Sequence, residues 1–330
     1  MALRAIGLAV FGTCAAGRSF HAPWVGDLLP PMDGGSKRPS FLGLRRSVNP
    51  ARVKYFMYSD SKFFDSRVKS IGRTWAQDVR PGDLTVVADQ GNPENVSGMN
   101  FVATECEEDS HGAGLCCKFA QAVRHAYHQM QEDPSVEWAH FVDDDVYLRP
   151  RMLERALAAQ EDAGSQGVVV GIFGCADEGH HCSGICGGGG YSANRRAIEK
   201  VVGGGEKTFQ DALMRTCGMC DMWSDIAITE LYRAQQVDFR SIPGLIGWRL
   251  NKTEFDAELD KDPISFHYIV EEPQMKVLHN MFSDQGTSFQ GPFDPRRCVR
   301  YRGRVSCAAY ANGCFTPWDL GDWCDGLPTA

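Results

Sequence analysis

Three consecutive aspartates, Asp143, Asp144 and Asp145, are the residues of this chain best suited to chemistry. They directly follow the apolar run 138–142, which is typical of a buried strand. In open α/β sheets, ligands bind at the edge formed by the carboxyl ends of the strands. Closely spaced carboxylates there suit a hard divalent cation of the kind that bridges the phosphates of a substrate. The alternative is that they cap a helix beginning near Arg149, although a single residue is enough for a cap.

Three further segments carry weaker chemical signals. The glycines at 187–190 would let the backbone approach a ligand closely, although a flexible loop explains them equally well. Asp225 begins a predicted helix, where its charge is favourable with or without a catalytic role. His267 lies in an apolar segment, and a histidine in that setting is more often a core residue than a ligand. Taken alone, each segment leaves both interpretations open.

Alternating strands and helices must position these residues. The predicted strands are 53–58, 84–88, 138–142, 168–173 and 263–268. Apolar residues recur at helical spacing between them, and the predicted helices are 63–75, 115–130, one through 152–157, 194–202 and one beginning at 222. This alternation predicts an α/β fold with a mostly parallel central sheet and helices on both faces.

The composition excludes some classes of function. A chain of 330 residues with 43 % hydrophobic content supports a sizeable core. The net charge of −8 argues against a nucleic-acid partner, which would require a basic surface. The 13 cysteines are many for a cytosolic enzyme, and most fall into two clusters, 175–220 and 298–324. The spacing of the first cluster is loosely that of a zinc ribbon, but with a secretory N-terminus disulfides are the better interpretation.

The N-terminus has the features of a secretory leader. Residues 1–20 combine the basic Arg4 with a short apolar stretch, and we predict a signal peptide or short anchor. A disordered start and a chloroplast-type leader are the alternatives. Sequons at Asn95 and Asn251 fit a secretory route, so we predict the endoplasmic reticulum or Golgi lumen, or secretion. The Pro- and Gly-rich residues 21–50 indicate a linker or stem.

In their order along the chain, these motifs resemble the Fringe-like group of β-1,3-glycosyltransferases in glycosyltransferase family 31, which includes the core 1 galactosyltransferases. The resemblance covers roughly residues 51–285. FVDDDVYLRPRML is similar to the family's DxD motif and the helix after it. The other similar segments are SRVKSIGRTW (66–75), LCCKFAQAV (115–123), CGGGGYSANRRAIEKV (186–201), WSDIAITELYR (223–233) and ISFHY (264–268).

The resemblance implies a single Rossmann-like domain of the GT-A type over residues 51–285, followed by a disulfide-rich extension over 286–330. It implies inverting transfer of a hexose or N-acetylhexosamine from a UDP-sugar to a hydroxyl of a glycan or glycoprotein, forming a β-1,3 linkage. The implied cofactor is Mn²⁺ or another divalent cation. We expect the four cysteines after residue 297 to pair among themselves.

The resemblance also implies roles for individual residues. Asp225 would be the catalytic base, with Asp221 the nearest alternative, and Asp145 and His267 would bind the metal ion. The residues implied in nucleotide-sugar binding are Ser59, Arg67, Asp89, Lys118, Asp143, Asp144, Gly188 and Gly189. Because Asp225 begins a helix, the helix dipole predicts a low pKa for its carboxyl group.

The chain departs from the family pattern at two places. Ser224 stands where an acid usually precedes the catalytic aspartate. Residues 244–248 lack the histidines that Fringe proteins carry near that distance, which leaves His267 as the candidate ligand. A non-catalytic carbohydrate-binding protein that retains the fold is therefore the main alternative. Hydrolysis of a glycoside also stays open, because glycosidases use two carboxylates that flank a sugar.

Overall fold

A seven-stranded sheet forms the centre of the protein in the computed structural model. The structure describes residues 49–91, 98–160, 163–177, 179, 181–250, 252–283, 298–302 and 304–307. All of these residues belong to one compact unit, Val48–Ala330.

The elements alternate as the sequence predicts. The strands are β1 (Val53–Tyr58), β2 (Leu84–Ala88), β3 (Asn100–Ala103), β4 (Trp138–Asp143), β5 (Tyr147–Leu148), β6 (Val168–Gly171), β7 (Phe173–Ala176), β8 (Ser183–Ile185), β9 (Tyr191–Asn194), β10 (Asp238–Ser241), β11 (Ser265–Phe266), β12 (Cys298–Tyr301) and β13 (Arg304–Cys307). The helices are α1 (Lys69–Gly72), α2 (Ala113–Glu132), α3 (Pro150–Ala158), α4 (Arg195–Val202), α5 (Glu206–Met219), α6 (Ser224–Ala234), α7 (Lys252–Leu259) and α8 (Glu272–Phe282).

The central sheet has the strand order β10-β6-β9-β4-β1-β2-β3. Strand β9 runs antiparallel to both of its neighbours, and the other pairs are parallel. Side chains of β1 alternate between two apolar clusters, with Tyr55 and Met57 facing helices α3, α7 and α8 and Phe56 facing α2, α4, α5 and α6. Because both faces are covered, β2 is buried at every position. The predicted α/β architecture is confirmed.

The helix predicted over 63–75 is wrong in its detail. This segment divides into a 3₁₀ turn at Ser61–Phe63, a π-helical turn at Phe64–Val68, the short α1 and a 3₁₀ turn at Trp75–Asp78. Phe64, Val68, Ile71 and Trp75 are nevertheless buried, and the Trp75 indole donates a hydrogen bond to the Val146 carbonyl (2.9 Å). The helical spacing of the apolar residues therefore indicated which side chains are buried. Tertiary contacts decided which backbone hydrogen bonds form.

Two predictions after residue 165 need correction. The strand predicted over 168–173 ends at Gly171, and Phe173 begins the separate hairpin of β7 and β8. The glycine turn does not lead directly into a helix, because β9 intervenes before α4 begins at Arg195. Gly190 reverses the chain with a φ of 80°, a conformation that favours glycine, and this reversal lets β9 enter the sheet.

Among the residues that the structure describes, eight cysteines form disulfides. The pairs are Cys106–Cys117, Cys116–Cys217, Cys175–Cys186 and Cys182–Cys220. The preference for disulfides is confirmed for these residues, and the zinc alternative is wrong for the cluster over 175–220. In the C-terminal extension, Cys298 and Cys307 are opposite one another in the β12–β13 pair, whereas Cys314 and Cys324 lie outside the described residues.

Several predictions fall outside the part of the chain that the structure describes. They concern the leader over 1–20, almost all of the linker over 21–50, and both sequon asparagines. Within the described ranges, no helix combines the length and the apolar character needed to cross a membrane.

Candidate active site

The carboxyl ends of three adjacent parallel strands bring acidic and hydroxyl side chains together. Tyr58, the last residue of β1, is opposite Asp143 at the end of β4 and Val87 in β2. The residues that follow each strand therefore share one edge of the sheet. This is the edge at which open α/β sheets bind ligands.

Asp144 is fixed by two of the residues predicted to bind the nucleotide sugar. Its Oδ2 accepts a hydrogen bond from the Ser59 hydroxyl (2.6 Å), and its Oδ1 pairs with the Arg67 guanidinium (2.8 Å). The guanidinium also stacks on the Phe63 ring, 4.0 Å from its centroid. Burial raises the pKa of Asp144, and Arg67 partly offsets that shift. Ser59, Arg67 and Asp144 thus form one network that holds the triple-aspartate turn.

Asp144 does not cap α3, since Arg149 precedes that helix without a side-chain cap.

Lys118 and Asp89 support the loop that follows β1. The Lys118 ammonium is almost completely buried and forms an ion pair with the buried Asp60. Asp89 accepts hydrogen bonds from both the backbone N–H and the hydroxyl of Ser61 (2.7 Å each). Burial opposes the effect, but these two bonds lower the pKa of Asp89. Both side chains therefore lie at the predicted edge and hold its loops in place.

A small second sheet brings His267 to the triple aspartate. Strands β5 and β11 pair antiparallel, with Tyr147 opposite Phe266. The backbone N–H of Ile269 also donates to the Asp145 carbonyl (2.8 Å). His267 follows β11 rather than lying within a strand over 263–268, which corrects the predicted boundary. The antiparallel return places its side chain beside Asp145.

Asp143, Asp145 and His267 form a group that can hold a metal ion. Their ligand atoms all lie within 4.8 Å of one another. The Nε2 of His267 is 3.2 Å from Oδ1 of Asp145 and 3.7 Å from Oδ2 of Asp143. Burial, followed by the charge of Asp145, raises the pKa of Asp143 to about 7. Burial alone would lower the pKa of His267, but its bond to Asp145 and both carboxylate charges raise it to about 8. The same contact lowers the pKa of Asp145 despite burial.

The donor set fits a divalent cation. Nδ1 of His267 is 3.1 Å from the Gly247 carbonyl, which can accept a hydrogen bond from the Nδ1–H and so direct Nε2 toward the carboxylates. Such a backbone partner is the usual support for a metal-binding histidine. One imidazole nitrogen with carboxylate oxygens is a ligand set that divalent metal ions accept.

Asp225 lies in the first turn of α6, and both of its carboxylate oxygens accept backbone hydrogen bonds. Oδ2 accepts from the Gly187 N–H (2.6 Å), and Oδ1 accepts from the Ile226 N–H (2.9 Å). The predicted low pKa is wrong. Burial raises the pKa of Asp225, because the loss of hydration outweighs these hydrogen bonds and the helix dipole. The alternative base, Asp221, is exposed.

The glycine turn lies between Asp225 and His267. A Cβ atom added at Gly187 would be 2.7 Å from the Asp225 Cβ, and one at Gly188 would be 2.1 Å from the His267 Nδ1. At Gly189 it would be 2.8 Å from the Ile172 side chain. These positions therefore need glycine because candidate active-site groups and neighbouring loops occupy the space.

Sequence reasoning missed two contributors to this site. Asp60, the buried partner of Lys118, carries nearly the same signal as Asp89, namely an acid within two residues of the end of a strand. Gly187 belongs to the predicted glycine turn, but only Gly188 and Gly189 were expected to contact a ligand. Its bond to Asp225 depends on how two distant segments pack, and no local pattern indicates it.

Among solved structures, three glycosyltransferases are similar at low identity. One is involved in glycosylation of the major capsid of PBCV-1 (10 % identity, 68 % of this chain, 97 % of that chain, TM-score 0.40). The second is GlyE of Streptococcus pneumoniae (12 %, 68 % and 56 %, TM-score 0.38). The third is the bifunctional WbbM (12 %, 70 % and 48 %, TM-score 0.40). The chain thus spans about half the length of the last two proteins. No match was found among curated proteins.

The sequence also matches a family model described as Fringe-like over residues 57–300. The match runs from within β1 to within β12, so it includes every candidate residue at the sheet edge, the glycine turn, Asp225 and His267. This agrees with the resemblance found in the individual motifs. The chain belongs to the Fringe-like family of glycosyltransferases.

Proposed function

We propose that this protein is an inverting, metal-dependent glycosyltransferase that uses a UDP-sugar donor. It would transfer a hexose or N-acetylhexosamine to a hydroxyl of a glycan or glycoprotein and form a β-1,3 linkage. The observation that carries the proposal is the placement of a cation-binding group, Asp145 with His267, near an independent, partly buried carboxylate, Asp225. Gly187 and Gly188 of the glycine turn lie between them, against Asp225 and His267 respectively.

Asp145 and His267 would hold Mn²⁺, with Asp143 close enough to contribute a third oxygen. When bound, the ion would offset the charge of the diphosphate and make UDP a better leaving group. The fixed turn around Asp144 would keep the carboxylates in place while the donor enters. We assign the nucleotide-sugar side of the site to Ser59, Arg67, Asp89, Lys118, Asp143, Asp144, Gly188 and Gly189.

Asp225 would accept the proton of the acceptor hydroxyl. The acceptor oxygen attacks the anomeric carbon from the face opposite UDP, so one C–O bond forms as the C–O bond between that carbon and the diphosphate oxygen breaks and UDP leaves. This displacement inverts an α-linked donor to a β-linked product and requires no covalent enzyme intermediate. Because burial raises its pKa, Asp225 is a stronger base than an exposed aspartate, which suits proton transfer from a hydroxyl.

We further propose that the protein works in the secretory pathway, in the Golgi or endoplasmic reticulum lumen, or outside the cell. Four disulfides support an oxidising compartment. The N-terminal residues 1–20 would direct entry and could anchor the chain to the membrane. Peptide mapping without reductant tests the related expectation that Cys298, Cys307, Cys314 and Cys324 are oxidised. Four free thiols would contradict it.

The decisive experiment measures UDP release from a panel of UDP-hexoses and UDP-N-acetylhexosamines with Mn²⁺ and a panel of glycan and glycopeptide acceptors. Transferase activity requires acceptor-dependent release that stops on chelation. Release that does not depend on an acceptor would indicate hydrolysis. Binding of sugars without any release would favour the non-catalytic alternative, which Ser224 in place of the usual acid keeps in consideration.

A further inference from the structure

The two ends of the glycine turn are held in different ways. At its exit, the Gly189 carbonyl accepts a hydrogen bond from the Ser265 hydroxyl (2.6 Å), and the chain continues into β9 of the central sheet. At its entry, the Cys186 N–H donates to the Ile172 carbonyl (2.8 Å), and its sulfur is bonded to Cys175. The disulfide is therefore the covalent attachment at the end of the turn nearest Asp225.

The carboxylate of Asp225 has one partner on its own helix and one outside it. The Ile226 N–H belongs to α6 and moves with the helix. The Gly187 N–H, at 2.6 Å, reaches Asp225 from the glycine turn. This second bond therefore ties the orientation of the Asp225 carboxylate to the glycine turn. The next residue of the turn, Gly188, lies against His267.

The segment that carries Gly187 has little intrinsic order. Strands β7 and β8 are short, and their pairing has an irregular register between Phe173 and Cys175. Four successive glycines follow Cys186, and glycine has more backbone freedom to lose than any other residue. A covalent bond directly before them restricts the positions that the Gly187 N–H can adopt.

We propose that the Cys175–Cys186 disulfide and Gly187 are positioning residues for the base. The disulfide fixes the entry of the glycine turn, and the Gly187 N–H then holds the Asp225 carboxylate toward the acceptor hydroxyl. This inference rests on the proposed function, in which Asp225 is the base.

The chain offers a matched control. Cys106–Cys117 and Cys175–Cys186 both join residues 11 apart, so their removal should have a similar effect on the entropy of the unfolded chain. The Cys175→Ala/Cys186→Ala and Cys106→Ala/Cys117→Ala variants are compared in melting temperature and in kcat and KM. The substrate is the UDP-sugar with the highest acceptor-dependent UDP release, assayed in Mn²⁺.

The Cys175/Cys186 variant should lose at least about 10-fold in kcat, which is part of the roughly 10²- to 10⁴-fold that general-base catalysis contributes, with donor KM within about twofold. The Cys106/Cys117 variant should keep kcat within about twofold at a similar melting temperature. Equal losses of kcat in both variants, or a change confined to donor KM, would overturn the proposal.

A second variant, and a measurement that does not depend on catalytic activity, make the test independent of any single substitution. Gly187→Ala places a methyl group 2.8 Å from Oδ2 of Asp225 and should lower kcat in the same way without removing a disulfide. Amide hydrogen exchange of the peptide containing 187–190 should accelerate in the Cys175/Cys186 variant and not in the control. Unchanged exchange refutes the positioning role. If exchange accelerates in the Cys175/Cys186 variant but the wild-type protein shows no acceptor-dependent UDP release, the proposed function fails while the effect of the disulfide on the turn stands.

Discussion

At the scale of single residues, three adjacent aspartates acquire three different environments. Asp143 has a pKa raised to about 7, Asp144 is paired with Arg67, and the pKa of Asp145 is lowered by His267. Neighbouring carboxylates whose pKa values differ because their environments differ are suited to separate tasks. We therefore expect substitutions along the triplet to differ in effect despite their identical side chains.

The metal assignment predicts that Asp145→Asn abolishes Mn²⁺-dependent turnover, because the substitution removes a charged oxygen ligand. His267→Ala should weaken Mn²⁺ affinity by about 10- to 100-fold. Turnover is measured across a Mn²⁺ titration, and thermal melting checks the fold. Asp65→Asn is the control, since 85 % of the Asp65 side chain is exposed. Unaltered Mn²⁺ dependence in Asp145→Asn would exclude it as a ligand.

The base assignment predicts that Asp225→Asn lowers kcat by at least about 10²-fold, which is the lower range for general-base catalysis. Donor KM should change little, since the metal group lies across the glycine turn. Steady-state kinetics with a fixed acceptor separates the two constants. A variant that lost donor affinity and kept kcat would show that Asp225 serves in binding.

The raised pKa of Asp225 also predicts the shape of the pH profile. A base must be ionised, so kcat should fall as the pH drops through the pKa of Asp225. Because burial raises that pKa, the fall should begin at a higher pH than the ordinary value of an aspartate would give. The fall in kcat with decreasing pH is measured at a saturating concentration of Mn²⁺. Activity that is constant down to the ordinary aspartate pKa would contradict the assignment.

At the scale of elements, the glycine turn separates the proposed base, Asp225, from the proposed metal-binding group. Gly187 contacts the base, and Gly188 contacts the histidine of the metal group. Each position therefore predicts a different kinetic defect, although the two residues are adjacent.

Gly188→Ala should displace the His267 ring, because the new methyl group would lie 2.1 Å from Nδ1. We expect Mn²⁺ affinity to fall at least about 10-fold, as it does when support for a metal ligand is lost. Calorimetric titration with Mn²⁺ measures this directly. Gly204→Ala is the matched control, since no atom lies within 4 Å of its added Cβ. Equal affinities in the two variants would mean that the turn accommodates a side chain.

At the scale of the whole molecule, disulfides of different span stabilise the fold to different extents. Cys116–Cys217 joins residues 101 apart and ties α2 to α5, whereas Cys106–Cys117 joins residues only 11 apart. The entropy removed from the unfolded chain grows with the length of the closed loop.

Replacing Cys116 and Cys217 with alanine should therefore lower the free energy of unfolding by about 2 kcal/mol more than replacing Cys106 and Cys117. Urea unfolding at equilibrium, followed by circular dichroism, measures both variants against the wild type. A smaller loss in the Cys116/Cys217 variant would show that native-state contacts, rather than loop length, decide the contribution of these bonds.

Local patterns predicted most of the elements well. Strands β1 and β2 have the predicted bounds, and α2 extends the predicted helix by only a few residues. The failures came where long-range packing competes with the local preference. The segment over 63–75 has helical apolar spacing, yet contacts such as the Trp75 bond to Val146 accompany an irregular backbone. The direction of the Asp225 pKa was also wrong, because burial cannot be read from the position of a residue in a helix.

The sequence by itself determined the α/β architecture and the acidic turn at the end of β4, because the repeat of apolar residues and the end of an apolar run are local properties of the chain. Only the tertiary structure decided that His267 returns to Asp145 through the β5–β11 pair, and that Gly187 donates to Asp225. It also decided which cysteines are partners. These contacts join segments far apart in the chain, and their energies depend on how the intervening elements pack.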